Sequence, residues 1–317
     1  MNSMPNSDGK APVIPVLTGP TGAGKTALAF QLMDRFKQLE MISADSRQIY
    51  KGLSIGTDKP LPEDLARYPT HLVDCVEPGE RFTAFDFVAR ANEIIADIFK
   101  RGRKPLICGG TGLYIKSLVE GIVEIPDGDF HYRDDLEALA AREGPEALHA
   151  KLKNVDPIEA VKVHPNNVKK IIRALEIYYL TGRTKTEILT MGSYKKIYDF
   201  VVVCFMPSRT ELYERINSRV DRMLEAGLLD EVDTLIKSGF KDRVARINVI
   251  GYNELLDYRD GRLTYEEAVN LIKQNSRRFA KRQITWFNGM SEIQIFNKPD
   301  GVLDCLINIL GQKTCYC

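Results

Sequence analysis

Eight consecutive residues, Gly19-Pro20-Thr21-Gly22-Ala23-Gly24-Lys25-Thr26, fit the spacing G-x-x-x-x-G-K-[ST]. Glycines at these positions let successive backbone N–H groups turn inward around phosphate oxygens, and a helix opening at the end of the loop adds positive potential. Lys25 supplies a point charge, and the Thr26 hydroxyl is placed to ligate Mg²⁺. The ligand class is therefore a di- or triphosphate; the loop does not say what the phosphates are attached to. Two apolar runs end in carboxylates. Asp45 closes Met41-Ile42-Ser43-Ala44 and is followed by Ser46-Arg47-Gln48, and Asp74 follows His71-Leu72-Val73. Asp45 suits a general base or, equally, a turn or helix N-cap. Asp74 competes as a ligand to Mg²⁺-bound water. A second glycine turn, Gly109-Gly110-Thr111-Gly112, permits close backbone approach, and the Thr111 hydroxyl can both donate and accept; a plain strand-to-helix connection is the alternative.

Cationic side chains cluster in three places. After Ser208, Arg215, Arg219 and Arg222 recur at helical spacing, either as a solvated edge paired with Glu211, Glu214 and Glu225 or with one arginine reaching the phosphate site. Between Ala268 and Gln283 stand Lys273, Arg277, Arg278, Lys281 and Arg282 with no acidic residue. On a helix, Ala268, Leu271, Ile272, Phe279 and Trp286 share one side, and Lys273, Arg277 and Lys281 lie opposite. Arg278 falls on the flank, and Arg282 is expected to point inward to an anion or carboxylate. Lys169, Lys170 and Arg173 form the third group. Such faces bind phosphate backbones, unless they are merely solvated.

The elements that must position these groups alternate in the first half of the chain. Strands are expected at Val13–Thr18, Glu40–Ala44, His71–Asp74 and Pro105–Cys108, with helical stretches at 27–36 and 113–119, the pattern of a parallel sheet covered by helices. Parallel crossovers bring the carboxyl ends of the strands to one edge, where open α/β sheets bind ligands. Residues 127–195 change to charged helical stretches such as Tyr132–Arg142 and Asn167–Tyr179, read as a helical insertion domain. The valine-rich run Phe200–Met206 returns to the sheet. Two long helices then open with capping boxes, Ser208 with Glu211 and Thr264 with Glu267. The expected organisation is a core of 13–126 and 196–310, an insertion of 127–195, and disordered tails at 1–12 and 311–317.

Composition excludes whole classes. With 44% apolar and 27% charged residues, collagen-like, disordered and disulfide-scaffold proteins drop out. The longest apolar run, Phe200–Met206, is seven residues, too short for a membrane span, and the polar start lacks a signal-peptide core, so a cytoplasmic protein is expected. Net charge is only +1, so a polyanionic partner must be held by a local patch. Cys75, Cys108, Cys204, Cys305, Cys315 and Cys317 are scattered apart from the terminal C-x-C, and idle thiols are favoured over a metal site.

Taken together, GPTGAGKT, ISADSRQIYKGLSIGT, PLICGGTGLY, HPNNVKKIIRALEIY, LYERINSRVDRMLEAGLLDEV and RRFAKRQITWF, in this order from Val13 to Asn288, resemble the bacterial tRNA dimethylallyltransferases, the tRNA isopentenyltransferase or IPP transferase family. The resemblance implies a P-loop NTPase-like core with an all-helical insertion, acting as a monomer. It implies a channel entered by dimethylallyl diphosphate at one end and by a flipped adenine of the tRNA anticodon stem-loop at the other. It makes Asp45 the general base, Thr111 a polar group at the adenine and Arg219 a diphosphate contact. The loop from Gly19 to Thr26 would hold the diphosphate with Mg²⁺. Asp45, Ser46, Arg47, Gln48, Thr111, Arg133, Lys169, Lys170 and Arg173 would lie on the tRNA, together with the basic helix from Lys273 to Arg282. Gly22-Ala23, Arg47, Asn167 and Lys170 depart from the commoner pattern. The rival readings are a P-loop kinase of a nucleoside or other small molecule, a prenyltransferase of free adenine nucleotides, and a non-enzymatic RNA-binding module. The kinase predicts ATP consumption and needs no acid-free basic helix.

Overall fold

The computed structural model describes residues 13–125, 128–191 and 197–311. The tail expected at 1–12 and all of that expected at 311–317 except Gly311, with Cys315 and Cys317, lie outside the described residues. The chain opens with β1 (Val13–Thr18), α1 (Lys25–Arg35), β2 (Leu39–Ser43), α2 (Pro62–Arg67), β3 (Thr70–His71), α3 (Ala84–Lys100), β4 (Lys104–Gly109) and α4 (Gly112–Glu120). Five helices follow: α5 (Phe130–Glu143), α6 (Pro145–Val155), α7 (Pro157–Lys162), α8 (Val168–Thr181) and α9 (Lys185–Thr190). The chain then continues as β5 (Asp199–Phe205), α10 (Arg209–Glu225), α11 (Leu228–Lys237), α12 (Lys241–Ile247), α13 (Tyr252–Arg259), α14 (Tyr265–Asn288), β6 (Ile293–Phe296) and α15 (Pro299–Gly311).

Two compact units result, one from the residues up to 120 and from 196 onward, the other from 121–195. The first holds one parallel sheet of six strands in the order β3-β2-β4-β1-β5-β6. Its central strands read as almost unbroken apolar runs because both faces are covered by helices, and all five residues of β2 are buried. β3 is shorter than its sequence suggests. Leu72 and Asp74 take positive φ values of 61° and 53°, which end the extended backbone after His71. β6 was not expected; its four residues complete the edge by pairing with Val202–Phe205 of β5. The second unit packs α5–α8 around Leu136, Leu148, Leu152, Ile171, Ile172 and Leu175. Among the described residues no helix is long and apolar enough to cross a membrane.

α10 buries Leu212, Ile216, Val220 and Met223 as its spacing predicts. Ser208 caps it by accepting from the Glu211 N–H at 3.3 Å, while the Glu211 carboxylate turns to Arg215. The box at Thr264 and Glu267 closes in both directions. α14 is rolled relative to the expected wheel. Its second half buries Ser276, Ala280, Gln283 and Phe287, while Phe279 and Trp286 are 37% and 42% exposed. Small residues on the buried side allow close packing of helices, and a helix of 24 residues can bury different faces along its length.

Candidate active site

The carboxyl ends of β1, β2 and β4 build the site. Thr18 Oγ1 donates to the Gly109 carbonyl at 2.9 Å, joining the ends of β1 and β4. Gly19 then turns with φ 145°, and a Cβ there would stand 2.2 Å from the Phe205 carbonyl oxygen, so no larger residue fits. Lys25, the first residue of α1, reaches back over its own loop to donate to the Pro20 carbonyl at 2.9 Å. Burial lowers the Lys25 pKa, and the nearby Asp45 charge opposes that shift. An anion placed in the loop would favour the charged ammonium further. From behind, Arg215 holds the Ala23 carbonyl at 2.8 Å.

Asp45 is a turn cap that also lines the site's cavities. Its Oδ1 accepts from the N–H groups of Arg47, 2.8 Å, and Gln48, 3.3 Å, as a turn-capping aspartate does, while its carboxylate also faces two cavities. The second glycine turn lies against it. The Thr111 N–H donates to the Ala44 carbonyl at 3.1 Å, and Thr111 Oγ1 accepts from the Ser46 N–H at 2.9 Å. Gln48 Nε2 reaches the Asp58 carbonyl at 2.9 Å. Asp74, the competing carboxylate, is engaged elsewhere: its Oδ1 is 2.5 Å from the buried Lys59 ammonium.

A smaller cavity of about 80 Å³ adjoins the phosphate loop and is lined by Thr21, Gly22, Lys25 and Thr26 together with Asp58 and Gln48. A larger one of about 400 Å³ is lined by Ser46, Arg47, Thr111 and Arg282 and by the apolar Val220, Met223, Ile250 and Phe279. The two share Thr21, Lys25, Asp45, Thr57, Gly110 and Arg219. Arg219, one helical turn beyond Arg215, is the arginine of α10 at this junction. Its Nη1 lies 3.3 Å from Asp58 Oδ2, and its buried Nε has no hydrogen-bond partner among the described residues, which leaves a charged donor available to an anion.

Among the described residues, no group of three or more His, Cys, Asp and Glu could hold a metal ion. Mg²⁺ commonly needs only one or two protein oxygens when phosphates and water fill the rest, and Thr26, Asp45 and Asp58 on one cavity wall satisfy that. Cys108, which lines the same cavity, and Cys204 are pushed up to about 12 by burial. Both are neutral thiols rather than competing nucleophiles.

Some basic positions behave differently from their sequence reading. Arg282 is exposed rather than turned inward; its guanidinium lies over the Phe279 ring, 5.6 Å from the centroid. The residue of that turn pointing inward is Gln283, which accepts from the Thr21 N–H and donates to the Gly110 carbonyl, both at 2.8 Å. The acid-free stretch of α14 also finds its counter-groups on α10: Lys273 is 2.5 Å from Asp221, and Arg277 is 2.6 Å from Asn217 Oδ1. Arg278 and Lys281 are exposed. In the helical unit, Arg133 and Arg173 both pair with the fully buried Glu176, whereas Lys169 and Lys170 are exposed. Arg47 donates to the Ile247 carbonyl at 2.8 Å.

Sequence reading missed Asp58, Gln283 and the cavity-lining segment Asn248–Gly251. Gln283 alone left a signal, an uncharged polar residue among apolar and small residues four apart. Asp58 and Asn248 left none, because they reach the site through loops.

Known proteins give the same picture. Residues 48–290 match the model of the family described as IPP transferase. The tRNA dimethylallyltransferase of Anoxybacillus flavithermus is 45% identical over 290 residues, covering 91% of each chain. The crystal structure of the full-length tRNA isopentenylpyrophosphate transferase from Bacillus halodurans covers 95% of this chain and 97% of its own, with a TM-score of 0.67 and 38% identity. A eukaryotic dimethylallyltransferase acting on tRNA gives a TM-score of 0.73 at 30% identity, over 87% of this chain and 70% of its own. The phosphate loop, the opposed carboxylate and the ordered matches along the chain lead to one conclusion: this chain belongs to the IPP transferase family.

Proposed function

We propose that the chain transfers a dimethylallyl group from dimethylallyl diphosphate to N6 of adenosine 37, next to the tRNA anticodon, and releases diphosphate. The observation that carries this reading is the junction of the two cavities, where a phosphate loop lysine and an arginine with a free donor meet a carboxylate. The similarity to the tRNA dimethylallyltransferase of Anoxybacillus flavithermus and the tRNA isopentenylpyrophosphate transferase of Bacillus halodurans supports it.

The chemistry follows from charge development. As the allylic C1–O bond breaks, its electron pair leaves with the diphosphate and positive charge spreads over the allyl fragment. The loop amides, Lys25 and Arg219 stabilise that departing charge in a site already built for it. N6 of adenine is a poor nucleophile because its lone pair is delocalised into the ring. Asp45 takes its proton as the N6–C1 bond forms, an assistance worth roughly 10²–10⁴-fold. Thr111, braced by Ser46, orients the base beside Asp45. The apolar wall of Val220, Met223 and Ile250 receives the hydrocarbon. Thr26, with Asp58 beside it, would hold Mg²⁺, which when bound neutralises charge on the diphosphate.

An adenine in a loop is already single-stranded, so extruding it costs only a few kcal/mol. Phosphate contacts offset that cost: Lys169, Lys170, Arg133 and Arg173 on the helical unit, and Arg278, Lys281 and Arg282 with Lys273 and Arg277 on α14. Ser46, Arg47 and Gln48 are further tRNA contacts of the core unit. One chain supplies Lys25, Asp45, Thr111 and Arg219, which supports a monomer as the acting unit, and a tRNA substrate supports a cytoplasmic place of action. The test is incubation with labelled dimethylallyl diphosphate and unmodified tRNA, then digestion to nucleosides. Label in N6-dimethylallyladenosine is expected. Phosphoryl transfer from ATP to a small molecule, with unaltered RNA, would overturn the reading.

A further inference from the structure

We propose that Glu231, on α11 and outside both cavities, is a positioning residue for this transfer: it anchors the turn from which Thr57 and Asp58 reach the site. The inference rests on the prenyl-transfer reading and adds a residue to it.

The Glu231 carboxylate gathers the donors of one turn. It accepts from the N–H groups of Ser54 at 3.1 Å, Ile55 at 3.0 Å and Gly56 at 3.4 Å, and from the Tyr252 hydroxyl. Burial raises the Tyr252 pKa, with the Glu231 charge adding to the effect, so the phenol keeps its proton and remains a donor. Tyr252 also fixes Gly56. A Cβ at that position would lie 2.4 Å from its ring, and its hydroxyl accepts from the Gly56 N–H at 3.2 Å.

From this turn the chain passes directly into the site. Thr57 and Asp58 line the smaller cavity. Their carbonyls accept from Gln48 Nε2 at 3.3 and 2.9 Å, and the Gln48 N–H donates to Asp45 Oδ1 at 3.3 Å. The Asp58 carboxylate meets Arg219 at 3.3 Å. One carboxylate remote from the reacting atoms therefore sets two of them, the base through Gln48 and the diphosphate-binding arginine through Asp58. Charge-assisted bonds to several N–H groups of one turn are strong and directional, and small misplacements of reacting groups cost rate steeply.

The test uses Glu231→Gln, which keeps the shape and removes the charge. Transfer kinetics, thermal midpoint and calorimetric binding of inorganic pyrophosphate are measured for the parent, Glu231→Gln, Arg219→Ala and the double variant. Expected for Glu231→Gln are a kcat about tenfold lower per folded molecule, KM for tRNA within about threefold, and weaker pyrophosphate binding that vanishes as an effect in the Arg219→Ala background. A merely structural role predicts a lower midpoint with kcat unchanged, or the same fold-loss of pyrophosphate affinity in both backgrounds; either result overturns the proposal. Should Glu231→Gln fail to fold, Tyr252→Phe removes one donor while keeping the ring over Gly56. A kcat about threefold lower is then expected, and an unchanged kcat overturns the proposal. A parent that does not label tRNA refutes the prenyl-transfer reading instead, while the pyrophosphate cycle still decides whether Glu231 acts through Arg219.

Discussion

Asp45 carries two jobs that one substitution can separate. Its Oδ1 caps the turn by accepting from the Arg47 and Gln48 N–H groups, and its carboxylate is the proposed acceptor of the N6 proton. Asp45→Asn leaves an oxygen to accept both N–H bonds, and asparagine caps about as well as aspartate, so stability should change by no more than about 0.5 kcal/mol. Asp45→Ala also loses the cap, a cost of about 0.5–2 kcal/mol. Removing the base should slow transfer by roughly 10²–10⁴-fold, or about 3–5 kcal/mol of barrier at 1.36 kcal/mol per decade. The assay is single-turnover transfer with saturating tRNA, with the thermal midpoint measured in parallel. Both variants should lose turnover alike, and only the alanine variant should lose stability. An asparagine variant transferring within about fivefold of the parent would refute the base assignment and leave Asp45 as a cap.

Three other outcomes follow from the structure. Glu40, buried between Arg101, Arg103 and His71, is held at about 2 against an ordinary 4.5, chiefly by its hydrogen bonds to Arg101. A depressed carboxylate pKa contributes stability that is fully present above pH 4.5 and lost as pH falls toward 2, at most about 3 kcal/mol. Glu40→Gln should therefore destabilise at pH 7 and flatten the acid limb of urea unfolding; parallel pH curves for variant and parent would contradict this. Arg278→Ala with Lys281→Ala, the exposed pair of α14, should weaken tRNA binding and lower its salt slope by up to about 2, and equal slopes would mark the pair as solvated only. Gly112→Ala places a Cβ 2.3 Å from Trp286 Nε1, and as Trp286 is the only tryptophan, displacement of the indole should alter the emission spectrum; superimposable spectra would show that the backbone at residue 112 shifts instead and the indole stays in place.

Local pattern is a good guide where the chemistry resides in a continuous run. The phosphate loop, the strand ends at Asp45 and Thr111, and the stripe of α10 are each written in a few adjacent residues, because spacing dictates backbone conformation and burial over that range. α14 shows the limit. Its wheel placed Phe279 and Trp286 on the buried side, yet the packed helix turns Ala280 and Gln283 inward instead. Periodicity gives the existence of a face but not its roll, which depends on what the partner surface accepts. The same limit applies to charge. Lys273 and Arg277 belong to an acid-free stretch, but Asp221 and Asn217 meet them from α10.

From residue order alone one can read a diphosphate cradle, a parallel sheet to hold it, and a carboxylate on the same edge. Folding settles the rest: that Gln283 closes over Thr21 from 262 positions away, that Arg219 meets Asp58 across 161, and that Glu231 holds the turn behind them. Hydrogen bonding between groups so far apart along the chain depends on how helices seat against the sheet, and no local spacing encodes that seating.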